Sequence, residues 1–366
     1  MKIVHIAKFY PPEYGGIESV TEALAEDHAA AGHDVEVVCF TRDASREDRE
    51  GRLTLRRVKV QTEKASQPLA ASYLRTCARA ARKADVVHVH TPNMLAALAV
   101  LLLPPSARVV IHWHADIENK GVIGQMVRPI ERAMLRRADV VVATTEAYAE
   151  ASEVLAPFSD RVTIIPIGIA DVDTKPKFEA VSPPYVIFIG RLVPYKGLGV
   201  LLDAIALVQH NAEFRIIGIG PQESWLRVKA RRLGIEDRVI FMGRVEEHRL
   251  QHLLADAAVF CLPSVNRLEA FGVVLLEAMR AGRALVATNI PGSGVPWVNS
   301  TGINVPVGNP QALAEALDKL LANPGEAARL GKLARARFER EFSRGVMSAR
   351  FLELYEQLVE VKPIQV

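Results

Sequence analysis

Residues 85–113 read DVVHVHTPNMLAALAVLLLPPSARVVIHW, two β-branched runs separated by an apolar stretch that Pro92 and Pro104 bracket. Near-continuous Val/Ile runs suit strands covered on both faces, and strands alternating with helices require parallel crossovers. The same grammar extends outward. Runs at 2–7 (KIVHIA), 34–40 (DVEVVCF) and 53–60 (LTLRRVKV) precede it, and 139–144 (DVVVAT) and 161–166 (RVTIIP) follow. A second series occupies 185–190 (YVIFIG), 214–220 (FRIIGIG), 238–243 (RVIFMG), 258–263 (AVFCLP) and 284–289 (ALVATN). The fold class is therefore α/β, with two doubly wound domains.

Between the series, residues 168–184 (GIADVDTKPKFEAVSPP) carry three prolines, mixed charge and no sustained period, the marks of a linker. This assigns 1–167 to a first domain and 185–346 to a second, with a helical tail from about Gln311. Open α/β sheets bind ligands beyond the carboxyl ends of their strands, so a cleft between the lobes is the expected site.

The length of 366 residues exceeds what one core usually covers, about 250–300. Apolar residues at 49% and charged ones at 24% exclude a disordered chain. The 45 cationic and 42 acidic side chains balance too evenly for nucleic-acid binding by the whole chain, so any basic partner surface must be local. Cys39, Cys77 and Cys261 are odd in number and lack metal spacing, which points to a reduced, cytosolic setting. The opening MKIVHIAKFYPP reads as a first strand rather than a signal peptide. The longest apolar stretch, Met94 to Leu103, falls well short of the roughly 20 residues that span a bilayer.

Three segments carry chemistry. Gly15 and Gly16 stand between the first strand and an amphipathic helix, where backbone N–H groups and the helix dipole can face a phosphate; a tight turn is the plainer reading. Neither a GxGxxG fingerprint nor a P-loop is present. The second segment, GRLVPYKG at 190–197, places Arg191 and Lys196 at a strand's carboxyl end, a fork and a point charge suited to a diphosphate. The third is EAFGVVLLE at 269–277. Its two carboxylates would lie about 12 Å apart along a continuous helix, beyond the approximately 5–9.5 Å of paired glycosidase acids. Glu269 and Glu277 therefore suit different parts of one long ligand, with free N–H donors at Phe271 and Gly272 between them.

Together these segments resemble the retaining, nucleotide-sugar-dependent glycosyltransferases of family 4. EAFGVVLLE is similar to their E-x7-E motif and GRLVPYKG to their Arg and Lys phosphate clamp. HWHAD, IPIGI, GIGP, LPSVNRLEAFG, PGSGVPWVN and GINVPVGNP follow in the family's order, so the likeness covers nearly the whole chain. Within the family it is most similar to bacterial mannosyl- and rhamnosyltransferases that build lipopolysaccharide O-chains. The resemblance implies the GT-B fold: two Rossmann-like domains facing across a cleft, with a last helix, 347–366, crossing back to the first. It implies that Arg191 and Lys196 hold the donor diphosphate and that Gly15 and Gly16 back it. Glu269 would bind the transferred sugar, helped by the backbone of Ala270, Phe271, Gly272 and Val273. Glu277 would take the ribose, Gly243, Arg244 and Val245 would border the base, and His114 would sit near sugar and acceptor. Leu268 stands where relatives commonly carry a small polar residue, a departure that bears on the donor sugar.

The implied reaction is transfer of a hexose, mannose or a 6-deoxy relative from a GDP donor, to a lipid-linked glycan with retention, in O-antigen or other surface-polysaccharide synthesis. The leaving phosphate would help deprotonate the acceptor. No metal or other cofactor is expected. Asp171-Val172-Asp173 matches a metal-binding DxD pattern but lies in the linker and reads as solvated turn carboxylates. His88, His90, His112 and His114 form an HxH…HxH pattern on adjacent strands and read as packed or hydrogen-bonded rings rather than a zinc site. Arg75, Arg79, Arg82 and Lys83, and again Arg128, Arg132, Arg136 and Arg137, form basic helical faces. A solvated face is the plain reading; lipid-linked acceptors favour contact with the anionic inner face of the plasma membrane, a peripheral cytoplasmic location. Two other readings stand beside this one: a nucleotide-sugar epimerase or hydrolase on the same scaffold, and a non-catalytic nucleotide-sugar-binding partner.

Overall fold

The computed structural model divides into two compact units, 1–170 with 344–366, and 171–343. It describes all residues except 14, 65–66, 118–120, 173–182 and 361–366 and, for side chains, also 64 and 121–126. Most of the expected linker, including Asp173, and the last six residues of the tail lie outside the described residues.

The first unit holds strands β1 (Lys2–Ile6), β2 (Asp34–Thr41), β3 (Arg46–Glu50), β4 (Leu53–Lys59), β5 (Thr62–Lys64), β6 (Gln67–Leu69), β7 (Val86–Thr91), β8 (Arg108–Trp113), β9 (Val140–Ala143) and β10 (Val162–Ile164). Its helices are α1 (Gly16–Ala30), α2 (Ala71–Ala81), α3 (Met94–Val100), α4 (Gly121–Arg137) and α5 (Glu146–Glu150). An eight-stranded sheet runs β10-β9-β8-β7-β1-β2-β4-β3, parallel except for the edge pair β3–β4. β5 and β6 form a separate antiparallel pair. The quoted stretch is one complete βαβ step: β7 and β8 pair parallel, and Asn93 starts the intervening helix by accepting the Ala96 amide through its side chain at 3.2 Å.

The second unit contains β11 (Tyr185–Ile189), α6 (Leu198–Ile205), β12 (Glu213–Ile217), α7 (Glu223–Arg232), β13 (Val239–Gly243), α8 (Glu247–Asp256) and β14 (Val259–Leu262). It continues through α9 (Val273–Arg280), β15 (Ala284–Thr288), α10 (Val295–Val298), β16 (Ile303–Val305), α11 (Pro310–Leu321) and α12 (Pro324–Arg337). Its six strands are all parallel, in the order β13-β12-β11-β14-β15-β16. The last helix, α13 (Arg344–Glu360), belongs to the first unit and packs on α1, where Arg344 donates to Asp27 at 2.8 Å and to Glu26 at 2.9 Å.

Strand order positions the chemistry. In the first unit the chain runs outward from β1 in one direction through β2 and in the other through β7. In the second it does the same from β11, through β12 and β14. Each is a topological switch point, where the loops beyond the strand ends diverge and leave a crevice. The Gly15-Gly16 loop follows β1, and GRLVPYKG follows β11. The three cysteines are buried and free. No helix among the described residues is long and apolar enough to cross a membrane.

Candidate active site

In the second unit the loop after β11 is held by backbone packing. Leu192 donates its amide to the Ile219 carbonyl at 3.0 Å, and Val265 donates to the Tyr195 carbonyl at 2.8 Å. Gly197 has φ +69°, and a Cβ there would lie 1.9 Å from the Pro263 carbonyl oxygen; only glycine lets the loop sit on the strand end of β14. This seats Lys196, the last residue of a short 3-10 turn at Pro194–Lys196, at 8% exposure.

The buried ammonium has a partner that lies 73 residues away: Lys196 Nζ donates to Glu269 Oε2 at 2.5 Å. Ser264 Oγ donates to the same oxygen at 2.8 Å, and Ser293 Oγ fixes the Glu269 main-chain carbonyl at 2.5 Å. Thr288 in turn donates to the Ser264 carbonyl. Sequence reading gave Lys196 to a phosphate and Glu269 to a sugar; the structure joins them in one charged pair with a serine on the carboxylate. Ser264, Ser293 and Thr288 were missed, and the signal that could have found Ser264 is its place directly after β14. Arg191 is exposed and makes a long contact, Nη2 to Tyr195 Oη at 3.4 Å.

Gly272, at φ +76°, opens α9, and the amides of Ala270, Phe271 and Gly272 donate to no group among the described residues. They are the unpaired donors of a helix start, beside the Lys196–Glu269 pair. Val273 begins the helix and Glu277 follows one turn later. The Glu277 carboxyl is pushed up to about 7, chiefly by burial, against the opposing pull of Arg280. With Val172, Gln251, Leu254, Ala255 and Ala281, Glu277 and Arg280 line a shallow open recess. Gly243, Arg244 and Val245 follow the carboxyl end of β13, with Gly243 at φ +64° and Arg244 exposed.

In the first unit Gly15 is the extended N-cap of α1, and the Glu18 carboxylate folds over it: a Cβ on Gly15 would lie 2.3 Å from Glu18 Oε2. Around Gly16 that space is open. His114 lies just past β8, 7% exposed, its Nε2 3.3 Å from His90 Nδ1, and burial lowers its pKa to about 3. A ring held neutral in this way can donate one hydrogen bond and accept one, and does not supply charge.

One expectation is extended and one needs correction. Asp171 is exposed, as a solvated carboxylate would be, and it is also held by Arg335, whose two Nη atoms donate to it at 2.8 and 2.5 Å. Arg137 does not belong to the free basic face: it donates to the carbonyls of Pro104 at 3.0 Å and Ala107 at 2.8 Å, tying α4 to the turn before β8. Arg75, Arg79, Arg82, Lys83, Arg128, Arg132 and Arg136 are exposed, with Arg128 3.6 Å from Glu153.

The sequence has relatives that cover it end to end. Residues 171–337 match the family described as glycosyl transferases group 1, and 15–168 match the glycosyl transferase 4-like domain. The chain is 31% identical to the O-antigen chain mannosyltransferase C of Escherichia coli over 99% of this chain and 100% of that one. It is also 31% identical to the D-rhamnosyltransferase WbpZ of Pseudomonas aeruginosa, over 94% and 92% of the two chains. Among solved structures, sucrose-phosphate synthase from Thermosynechococcus elongatus matches with a TM-score of 0.79 at 21% identity, covering 99% of this chain and 100% of that one. HepE from Anabaena in complex with UDP matches at 0.75 and 19%, covering 98% and 100%. These structural likenesses show the GT-B fold. Two parallel α/β units, two matched domains and relatives of equal length place the chain in the group 1, family 4-type glycosyltransferases.

Proposed function

We propose that this glycosyltransferase moves a hexose, mannose or a 6-deoxyhexose from a GDP donor, to a lipid-linked glycan in O-antigen or other surface-polysaccharide synthesis, with retention and without a metal ion. The observation that carries the reading is the Lys196–Glu269–Ser264 cluster beside unpaired helix-start amides and the exposed Arg191, all at strand carboxyl ends of one sheet. The names of the two relatives support the sugar class and the O-chain setting.

In this reading Arg191 and Lys196 hold the donor diphosphate, with Gly15 and Gly16 presenting backbone amides to it. When the anomeric C–O bond breaks, negative charge grows on the leaving diphosphate, and fixed cations and N–H dipoles stabilise it without reorganising. The acceptor hydroxyl forms the new C–O bond on the same face, and its proton passes to the leaving phosphate. Glu269 and the Ala270–Val273 backbone orient the sugar, Glu277 takes the ribose hydroxyls, and Gly243, Arg244 and Val245 border the base. His114, as a neutral ring, hydrogen-bonds the sugar. The basic residues Arg75, Arg79, Arg82, Lys83, Arg128, Arg132 and Arg136 bring the enzyme to the anionic cytoplasmic face of the membrane where its acceptor resides.

A donor screen tests this: release of GDP, UDP or ADP from the corresponding hexose donors, with synthetic lipid-pyrophosphate acceptors. GDP release that needs the acceptor, with an α-configured product from an α-configured donor, is the expected result. Turnover that ignores the acceptor favours an epimerase or hydrolase, and nucleotide binding without turnover favours a silent binding partner.

A further inference from the structure

We propose that His90, His112 and His114 form a binding site for one divalent ion of the zinc class, with the fourth coordination position open to water.

The strand register builds the site. β7 and β8 pair in parallel with His90 opposite His112, and His114 lies two residues further along the same face. One ring nitrogen from each of the three lies within 4.8 Å of the others. His90 Nδ1 and His114 Nε2 are 3.3 Å apart, close to the roughly 3.4 Å separating two ligands on a tetrahedral ion with Zn–N of about 2.05 Å.

His112 supplies the independent observation. It is fully buried, and neither Nδ1 nor Nε2 has a hydrogen-bond partner among the described residues. A buried polar ring that satisfies neither nitrogen needs an explanation, and an ion held jointly with its two neighbours provides one. Three imidazoles without a carboxylate favour zinc, copper or nickel over magnesium or calcium. A second group, His5, His88 and His90, shares His90; its rings are at most 1% exposed, whereas His114 is 7% exposed, which favours the first group for an ion that also carries a water.

The proposal goes beyond the expectation that these rings are packed or hydrogen-bonded, which the structure also shows. Resting on the proposed role of His114 at the sugar, it also has a consequence for transfer: an ion on His114 competes with the donor sugar. The ion therefore inhibits, and transfer itself stays metal-independent.

The test is titration of the chelator-treated full chain with Co²⁺ as a visible probe, followed by Zn²⁺ competition and elemental analysis after gel filtration. One Co²⁺ per chain with a tetrahedral spectrum, displaced by one Zn²⁺, is expected. His112→Phe replaces a ring that makes no hydrogen bond, so it should fold; it should lose at least about 100-fold in affinity, while His5→Phe retains binding. Absence of binding, undiminished binding by His112→Phe, or loss in His248→Ala would overturn the site. The last result would assign the ion to the exposed His248–His252 pair, 3.2 Å apart on α8. Zn²⁺ should slow transfer by the wild type and spare His112→Phe. Binding without inhibition would uphold the site and overturn the competition.

Discussion

Glu277 makes nucleotide binding depend on pH in a way that can be worked out in advance. Burial holds its carboxyl at about 7, and ribose hydroxyls donate to the ionised form. If only that form binds, affinity scales as 1/(1 + 10^(7−pH)), so binding at pH 6 should be about tenfold weaker than at pH 8, or roughly 1.4 kcal/mol. Each binding event at pH 6 should release about 0.9 proton, the fraction protonated beforehand. Stability runs the opposite way. A carboxyl whose folded pKa is raised holds its proton more tightly in the native state. Its contribution is therefore full below the unfolded value of 4.5 and is lost as pH rises towards 7, by up to about 3 kcal/mol. Glu277→Gln should abolish the pH slope of binding, and above pH 7 it should melt higher than the wild type while binding nucleotide more weakly. The assay is calorimetry with GDP-mannose at pH 6, 7 and 8 in two buffers of different ionisation enthalpy. The sugar ester removes the second phosphate ionisation, which would otherwise titrate near 6. Equal affinity at pH 6 and 8, or the same slope in Glu277→Gln, would refute the assignment.

Three further outcomes are expected. Gly197→Ala forces a left-handed φ on a side chain aimed at the Pro263 carbonyl; a loss of about 2 kcal/mol or more, a fall in Tm of roughly 4–8 °C, should appear in thermal melts, and unchanged Tm would contradict the packing described. Transfer should proceed fully in excess chelator, and a loss restored by Mg²⁺ would reinstate a catalytic metal. Anionic vesicles should sediment the protein at low salt and release it as salt rises, with Arg82→Glu/Lys83→Glu reducing capture; absence of capture at low salt would remove the membrane surface from the account.

The sequence made the parallel core legible because buried strands are uninterrupted β-branched runs. β3 escaped because REDRE has no apolar face; it forms only as an antiparallel edge on β4, where Arg57 meets Asp48 at 2.9 Å. β16 is three residues at an edge of the second unit's sheet, too short to carry a period. Arg191, Lys196, Glu269 and Glu277 were legible as residue types at strand and helix ends. That Lys196 and Glu269 share a bond was not, because only the adjacency of β11 and β14 brings their loops together. The histidine pairs on β7 and β8 were visible from spacing. His5 and His28 were not, since joining them needs the strand order and the packing of α1 and α13: His28 Nε2 lies 3.2 Å from the Ser348 carbonyl, and His88 bonds Tyr355.

The central claim, a diphosphate gripped by Arg191 and Lys196, is tested most directly through Arg191. Lys196→Ala would strand the buried Glu269 carboxylate, at a cost to stability of about 3–5 kcal/mol that would blur the result. Arg191 is exposed and, among the described residues, hydrogen-bonds only the Tyr195 hydroxyl, at 3.4 Å, so its removal should leave the fold intact. The measurement is kcat/KM for acceptor-dependent transfer by Arg191→Ala, paired with its affinities for GDP and guanosine. A fall of about 10²-fold in kcat/KM, with GDP weakened and guanosine unchanged, is predicted. Wild-type turnover and undiminished GDP affinity in a folded Arg191→Ala would contradict it.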